Sequence, residues 1–161
     1  MPRRRASPLN YPAIADFRYA IRRFLTFSAG AAREAGLEPQ QYQLLLALKG
    51  LPSTETPTIG TLAARMLIQH HSAVELINRL EGHRLIRRSL NPADQREVLL
   101  VLSARGERIV QTIAAEHWAE LQIAGRELIG TLEEILGPSR APRQRRKSRS
   151  IRAQKNRRTH S

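Results

Sequence analysis

The sequence predicts a mainly α-helical protein that contains one small β-hairpin. Apolar residues recur at the three- and four-residue spacing of helices over most of residues 11–136. The spacing changes once, where Ile86, Arg88 and Leu90 alternate with their neighbours and a second apolar run, 98–102, follows a polar turn. The chain has 161 residues, of which 41% are hydrophobic, so it can form one domain with a core.

Four helices are predicted before the hairpin. Glycines and prolines separate the first three, and the Thr58 hydroxyl can cap the third. A tight connection at Leu67 and Ile68 leads from the third to the fourth. The predicted ranges are 11–33, 39–49, 58–66 and 69–82. The fourth helix is amphipathic, because its apolar and polar residues fall on opposite faces. The apolar face contains Ala73, Leu76, Ile77 and Leu80, and the polar face contains His71, Ser72, Glu75, Asn78 and Arg79.

Two further helices are predicted after the hairpin. The first is long, is capped by Ser103 and carries apolar residues as far as Ala124. The second carries apolar residues from Leu128 to Leu136 and ends at Gly137. His117 lies on the apolar stripe of the long helix. We expect it to be buried and hydrogen-bonded, in preference to forming an effector or metal site with Glu116.

The net charge of +13 is concentrated at the two ends of the chain. Residues 138–161 contain ten Lys or Arg and no acidic residue, and residues 3–5 are all Arg. Residues 6–137 contain 14 basic and 14 acidic residues and are formally neutral. We expect 1–10 and 138–161 to be disordered, because they have too few apolar residues to form a core. Basic segments of this kind either bind polyanions such as DNA or only solvate the chain.

Several classes of protein are excluded or disfavoured by composition. The chain has no cysteine, which excludes disulfides, Cys-ligated zinc and a thiol redox sensor, and fits a reducing cytoplasm. Its apolar runs are shorter than the roughly 18–20 residues that span a bilayer, so no membrane partner is expected. It contains neither a Gly-rich phosphate loop nor a nucleophile elbow. We therefore predict a protein that is not an enzyme and needs no cofactor.

The adjacent histidines His70 and His71 resemble a metal motif only superficially. Neighbouring side chains point about 100° apart on a helix. No cysteine is present either. We expect these histidines to face a groove or to pack, and we predict no metal site.

The order of the elements points to nucleic acid. Two short helices joined by a tight turn place the second helix in a major groove, and a hairpin that follows serves as a wing. Ser72, Asn78 and Arg79 on the exposed face can reach bases or phosphates. The alternative is an ordinary amphipathic helix whose outer face is merely hydrated. The hairpin directly after the helix, with Arg96 at its tip, favours DNA.

In these residues the chain resembles the multiple-antibiotic-resistance regulator (MarR) family of winged helix-turn-helix proteins. The resemblance covers about four-fifths of the chain, 11–137. It is carried by 39–42, 44–45, 58–63, 70–81, 91–96, 101–103 and Gly106. The Asp-x-Arg of the hairpin, Asp94 and Arg96, is its most specific element.

The resemblance implies a winged helix-turn-helix on a helical dimerisation lobe. The DNA-binding lobe would be 39–102, and the dimerisation helices would lie in 11–38 and 103–137. Arg96 would enter the minor groove with Asp94 orienting it; the alternative is a plain turn salt bridge. The predicted DNA-binding residues are His70, His71, Ser72, Glu75, Asn78, Arg79, Asp94, Gln95 and Arg96.

The sequence departs from the family pattern at three positions. Leu67 stands in the turn where the family usually has Gly, and Gln69 replaces a better helix cap. Arg84 stands where Gly usually ends the recognition helix, so we expect Arg84 to adopt a left-handed conformation unless the helix ends differently.

The functional prediction is a sequence-specific regulator of transcription that binds double-stranded DNA. The resemblance implies a homodimeric bacterial repressor, cytoplasmic and nucleoid-associated, that a small-molecule effector of unknown identity releases from DNA. The alternative is an architectural, chromatin-like protein whose basic tail coats DNA with little sequence preference. The ratio of specific to random-sequence affinity distinguishes the two.

Overall fold

A computed structural model describes residues 9–136 and shows five helices and one antiparallel hairpin. The predicted mainly helical fold with a small hairpin is confirmed. The elements are α1 (Tyr11–Glu34), α2 (Pro39–Lys49), α3 (Ile59–Met66), α4 (His70–Gly82), β1 (Ile86–Leu90), β2 (Val98–Leu102) and α5 (Ala104–Leu136). The tail 138–161 and nearly all of the arm 1–10 lie outside the described residues.

The core lies where α2, α3, α4 and the hairpin meet α5. It is built almost wholly from aliphatic side chains, as the low aromatic content requires. Its fully buried members include Tyr42, Leu44, Leu45, Leu62, Ile77, Leu80, Leu85, Leu100, Val110 and Ile113. The predicted inner face of α4 is confirmed, because Ala73, Leu76, Ile77 and Leu80 are all buried. This packing leaves the opposite face of α4 to solvent.

The hairpin extends away from the core towards its tip. Ile86 pairs with Leu102 near the core, and Leu90 pairs with Val98 at the far end. The N–H of Leu100 donates to the Pro57 carbonyl at 2.8 Å, which ties β2 to the segment before α3. Simple alternation would place Ile86 and Leu90 in similar surroundings, but Leu90 is 61% exposed. The difference arises because the strand has passed beyond the core by that point.

One expectation about the C-terminal half is wrong. Two helices were expected after the hairpin, whereas α5 is one continuous helix of 33 residues. Gly125 and Gly130 lie inside it, and each costs a helix only about 1 kcal/mol relative to Ala, which neighbouring turns can offset. Within residues 9–136, no helix has both the length and the apolar character that a membrane crossing requires.

The start of α5 is attached closely to the end of α4. Ser103 caps α5 as predicted, because its Oγ accepts a hydrogen bond from the Gly106 N–H at 3.0 Å. The same hydroxyl donates to the Arg84 carbonyl at 2.7 Å. A Cβ at Gly106 would overlap the Leu85 carbonyl, so only glycine allows this approach. These contacts hold α4, the hairpin and α5 in a fixed arrangement.

Candidate nucleic-acid interface

The turn between α3 and α4 depends on a left-handed leucine. Leu67 has a φ of 54°, and its side chain is 93% exposed. The N–H of Leu67 donates to the Ala64 carbonyl, and the N–H of Ile68 donates to the Ala63 carbonyl, both at 3.1 Å. This pattern of hydrogen bonds closes a helix at a left-handed residue. The turn geometry is therefore retained without the usual glycine.

The end of α4 uses the same device. Arg84 has a φ of 58°, as expected from its place in the pattern. Its N–H donates to the Glu81 carbonyl at 2.8 Å, and the N–H of Leu85 donates to the Leu80 carbonyl at 2.9 Å. The chain thus leaves α4 sharply and enters β1 beside it.

The outward face of α4 presents a row of polar side chains. His70, His71, Glu75, Asn78 and Arg79 are exposed. Ser72 is half-buried at the edge of this face. These six predicted DNA-binding residues therefore lie together on one helix, opposite the core. Gln69 occupies the N-cap position, but its side chain makes no capping hydrogen bond within the described part of the chain.

Two contacts organise the charged groups on this face. Arg79 lies 3.9 Å from Glu75 in an exposed pair one helical turn apart, which contributes little to stability. Arg88 of β1 bridges to α4 more firmly. Its Nη2 donates to Asn78 Oδ1 at 2.7 Å, and its Nη1 pairs with Glu81. Sequence reasoning missed Arg88, because no spacing rule links residues ten positions apart on a helix and a strand.

The tip of the hairpin is held together by its own polar groups. Asn91 Nδ2 donates to Glu97 Oε2 at 2.6 Å, and Asn91 Oδ1 accepts from the Ala93 N–H at 2.9 Å. Asp94 Oδ1 accepts from the Arg96 backbone N–H at 3.0 Å. Asp94 thus orients the backbone at Arg96, and no ion pair within residues 9–136 joins its carboxylate to the guanidinium. The side chains of Gln95 and Arg96 are exposed at the tip.

The charge of the folded region is balanced. Residues 9–136 contain 14 basic and 14 acidic residues, so this region has little net attraction for a polyanion. The arginines at the candidate interface therefore act locally. Arg87 and Arg96 are exposed, whereas the charge of Arg88 is compensated by Glu81.

A buried pair of polar side chains joins α2 to α5. Tyr42 Oη lies 2.6 Å from His117 Nδ1, and His117 is 6% exposed. Phe24 and Phe27 of α1 also pack against the imidazole ring, with centroids 5.8 and 5.7 Å away. The prediction of a buried, hydrogen-bonded His117 is confirmed. The Ser28 backbone interacts with the imidazole, but Nε2 makes no hydrogen bond of good geometry within residues 9–136.

The surroundings of this pair favour its neutral form. Burial lowers the pKa of His117, although Glu116 and the Ser28 backbone carbonyl act in the opposite direction. Burial, with a smaller contribution from Glu116, raises the pKa of Tyr42 to about 12. The pair therefore joins α2 to α5 as a neutral hydrogen bond at physiological pH.

Part of this sequence is similar to that of known proteins. A model of the MarR family matches residues 35–97, which run from the end of α1 through the hairpin tip. The helix-turn-helix-type transcriptional regulator YsmB of Bacillus subtilis (strain 168) is 29% identical over 116 residues, 70% of this chain and 76% of YsmB. Residues 35–97 of the chain are thus similar to the MarR family, and YsmB is named as a regulator of transcription.

Solved structures of MarR proteins share its architecture. MepR of Staphylococcus aureus, solved as an F27L mutant bound to an oligodeoxyribonucleotide, aligns with a TM-score of 0.57 at 15% identity and covers 80% of this chain and 96% of MepR. CouR of Rhodococcus jostii RHA1, bound to p-coumaroyl-CoA, aligns with a TM-score of 0.60 at 21% identity. That alignment covers 84% of this chain and all of CouR. At these identities the likeness concerns the fold.

The predicted site residues of this chain form two groups. The α4 group lies along one helix face, and the hairpin group of Asp94, Gln95 and Arg96 lies at the wing tip. The described residues contain no cluster of three or more His, Cys, Asp or Glu side chains that could hold a metal ion.

Proposed function

We propose that this chain is a transcription regulator of the MarR family, a homodimer that recognises a palindromic site in double-stranded DNA. In each half-site, α4 occupies the major groove and the wing reaches the adjacent minor groove. The observation that carries the proposal is the two-sided character of α4, whose apolar face is buried while its opposite face presents a row of exposed polar side chains. A helix of this kind fits a major groove and can donate to base edges there.

The roles of the individual residues follow from their chemistry. Asn78 and Arg79 near the middle of the exposed face would contact base edges, with Ser72, His70 and His71 closer to the phosphates. The first backbone N–H groups of α4 are also free of a Gln69 cap and suit a phosphate oxygen. Arg96 would enter the minor groove from a tip that Asp94 holds in shape.

A two-fold dimer explains the apolar surface of α1 and α5. Within the described residues, these helices expose many large apolar side chains, more than solvent contact alone accounts for. They are Tyr11, Ile14, Tyr19, Leu25 and Phe27 on α1, and Trp118, Leu121, Ile123, Ile129, Leu132, Ile135 and Leu136 on α5. We assign 11–38 and 103–137 to dimerisation and 39–102 to DNA binding. A two-fold protein requires a palindromic operator.

Regulation is proposed to be repression in the bacterial cytoplasm, relieved by a small molecule that binds between the two lobes. The support for a ligand is that CouR, a protein of this fold, was crystallised with p-coumaroyl-CoA bound. No catalytic role is assigned to any residue. Neither the described fold nor the comparisons favour the architectural alternative.

Selection from a random duplex pool tests the proposal. The full-length protein should enrich a palindrome whose half-site centres lie about one helical turn, roughly 34–36 Å, apart, or a multiple of it. Sedimentation at micromolar concentration should give about twice the mass of 18.2 kDa. A pool that remains random, or a clean monomer, would refute the proposal.

A further inference from the structure

The contact between Arg88 and Asn78 determines which way the Asn78 amide faces. A free asparagine side chain can turn over, because rotation about its last bond has two broad, similar minima. A guanidinium has five N–H donors and no acceptor. The atom 2.7 Å from Arg88 Nη2 must therefore be the amide oxygen, Oδ1, and the amide nitrogen, Nδ2, must lie on the other side.

Arg88 is itself anchored, so it can hold the amide in this state. Its Nη1 pairs with Glu81, one helical turn further along α4. Both side chains of that pair are about two-thirds shielded from solvent, which strengthens the interaction relative to the open pair of Arg79 and Glu75. One arm of the guanidinium is thus occupied by a carboxylate, and the other is directed at Asn78.

The position of Asn78 on α4 determines which of its amide atoms faces outward. At 100° per residue, Asn78 lies near the centre of the exposed face with His71 and Glu75, whereas Glu81 lies on the flank next to β1. The amide oxygen is turned towards that flank. The two N–H donors of Nδ2 are left on the outward side of the helix.

We propose that Arg88 is a positioning residue that makes Asn78 a hydrogen-bond donor in base recognition. This inference rests on the proposed placement of α4 in the major groove. An unrestrained asparagine pairs with adenine through both atoms, since Oδ1 accepts from N6 while Nδ2 donates to N7. With Oδ1 turned to Arg88, only the two Nδ2 donors are left to contact DNA. They match a base edge that presents two adjacent acceptors. Guanine has that edge in O6 and N7.

The expected preference at this base is guanine over adenine by about five- to tenfold, the equivalent of one hydrogen bond gained or lost. Cytosine is disfavoured further, because its major-groove edge presents the N4 donor to another donor. Arg88 would therefore change the base that is read without touching DNA itself.

Selection with three variants of the full-length protein tests this. The half-site position read by Asn78 is first identified as the one whose preference is lost in Asn78→Ala. In Arg88→Met, that position should shift from guanine towards adenine by about five- to tenfold while the other positions keep their preferences. The control is Arg87→Met, which removes the same charge from the exposed neighbour on β1. It should weaken binding at all sequences without changing any base preference.

A second measurement keeps the inference testable if Arg88→Met does not fold. Asn78→Asp has nearly the same shape and retains an oxygen facing Arg88, but lacks the Nδ2 donors. It should abolish the guanine preference at the same position. An unchanged preference in either Arg88→Met or Asn78→Asp overturns the inference. Failure of the wild-type protein to enrich any sequence is a different result, because it refutes the proposed function itself.

Discussion

Tyr42 Oη lies 2.6 Å from Nδ1 of His117, and this hydrogen bond joins α2 to α5. Its two residues are 75 positions apart, and it is enclosed by Phe24 and Phe27 of α1. Three helices therefore meet at one neutral polar pair, in which Nε2 makes no hydrogen bond of good geometry within residues 9–136. Protonation of this histidine would place an incompletely compensated charge in an apolar site.

The first prediction is that the protein loses stability as the pH falls below about 6.5, the usual pKa of histidine. Because burial lowers the pKa of His117 in the folded state, the unfolded chain binds a proton at a higher pH than the folded one. The free energy of unfolding therefore decreases as pH drops from 6.5 towards the lowered pKa. Thermal unfolding of full-length protein between pH 8 and pH 5, values chosen to bracket about 6.5, measures this.

The matched variants are His117→Gln, which cannot titrate, and His83→Gln, which removes an exposed histidine at the end of α4. The stability of the first should depend less on pH, and that of the second should follow the wild type. Identical pH profiles for wild type and His117→Gln would contradict the role given to the buried pair.

The second prediction is that Leu67→Gly raises the free energy of unfolding by about 0.5–1 kcal/mol. A left-handed conformation costs a non-glycine residue about 1–2 kcal/mol, and glycine loses part of that gain through its more flexible unfolded state. Little burial is lost, because the leucine side chain is 93% exposed. Denaturant titration measures the change.

Ala64→Gly is the control, since Ala64 is exposed within the same helix but has ordinary helical geometry. It should lower the free energy of unfolding by about 1 kcal/mol. Destabilisation by Leu67→Gly would show that the turn depends on leucine for a reason other than its backbone conformation.

The third prediction concerns the wing. Arg96→Ala should weaken binding to the selected operator by about 1–3 kcal/mol, the scale of one well-formed groove contact, and leave thermal stability unchanged. The control Arg126→Ala removes an exposed arginine from α5 and should bind normally. If both variants bind with wild-type affinity, the wing does not contact DNA as proposed.

The fourth prediction concerns the ten positive charges of 138–161. Each phosphate that they neutralise adds about 0.9 to the slope of log affinity against log salt concentration. Deletion of 138–161 should flatten that slope by several units if half of the charges engage. Affinity for random DNA should fall at least as much as affinity for the operator, because phosphate contacts carry no sequence information. Equal slopes for full-length and truncated protein would exclude a role for this segment in binding DNA.

Local patterns predicted the elements well and predicted contacts between elements poorly. The buried face of α4 followed from the spacing of Leu76, Ile77 and Leu80, and the positive φ of Arg84 followed from its place where the family has glycine. The expected break in α5 was wrong because glycines interrupt a helix only when packing does not compensate for them. Periodicity also placed His117 in the interior but could not identify Tyr42 as its partner.

In the candidate site too, residues on one element could be predicted from the sequence, whereas contacts between elements could not. The exposed row on α4 was predictable from one helix, whereas the link from Arg88 to Asn78 depends on how β1 lies beside that helix. At the tip, Asp94 accepts from the backbone N–H of Arg96 two residues on, as Asp side chains do in turns, and does not pair with its guanidinium. Such details are set by tertiary geometry, which residue spacing does not encode.

If the outward face of α4 reads DNA sequence, the protein must bind the selected operator more tightly than a scrambled duplex, and the ratio of the two affinities measures this. Both affinities should be measured at one fixed, near-physiological salt concentration, with wild type and with the double variant Asn78→Ala/Arg79→Ala. The wild-type ratio should be about a thousandfold or more, and the double variant should lose much of it while still binding random DNA. A wild-type ratio near one, or a ratio that the double variant leaves unchanged, would show that this face of α4 does not read DNA sequence.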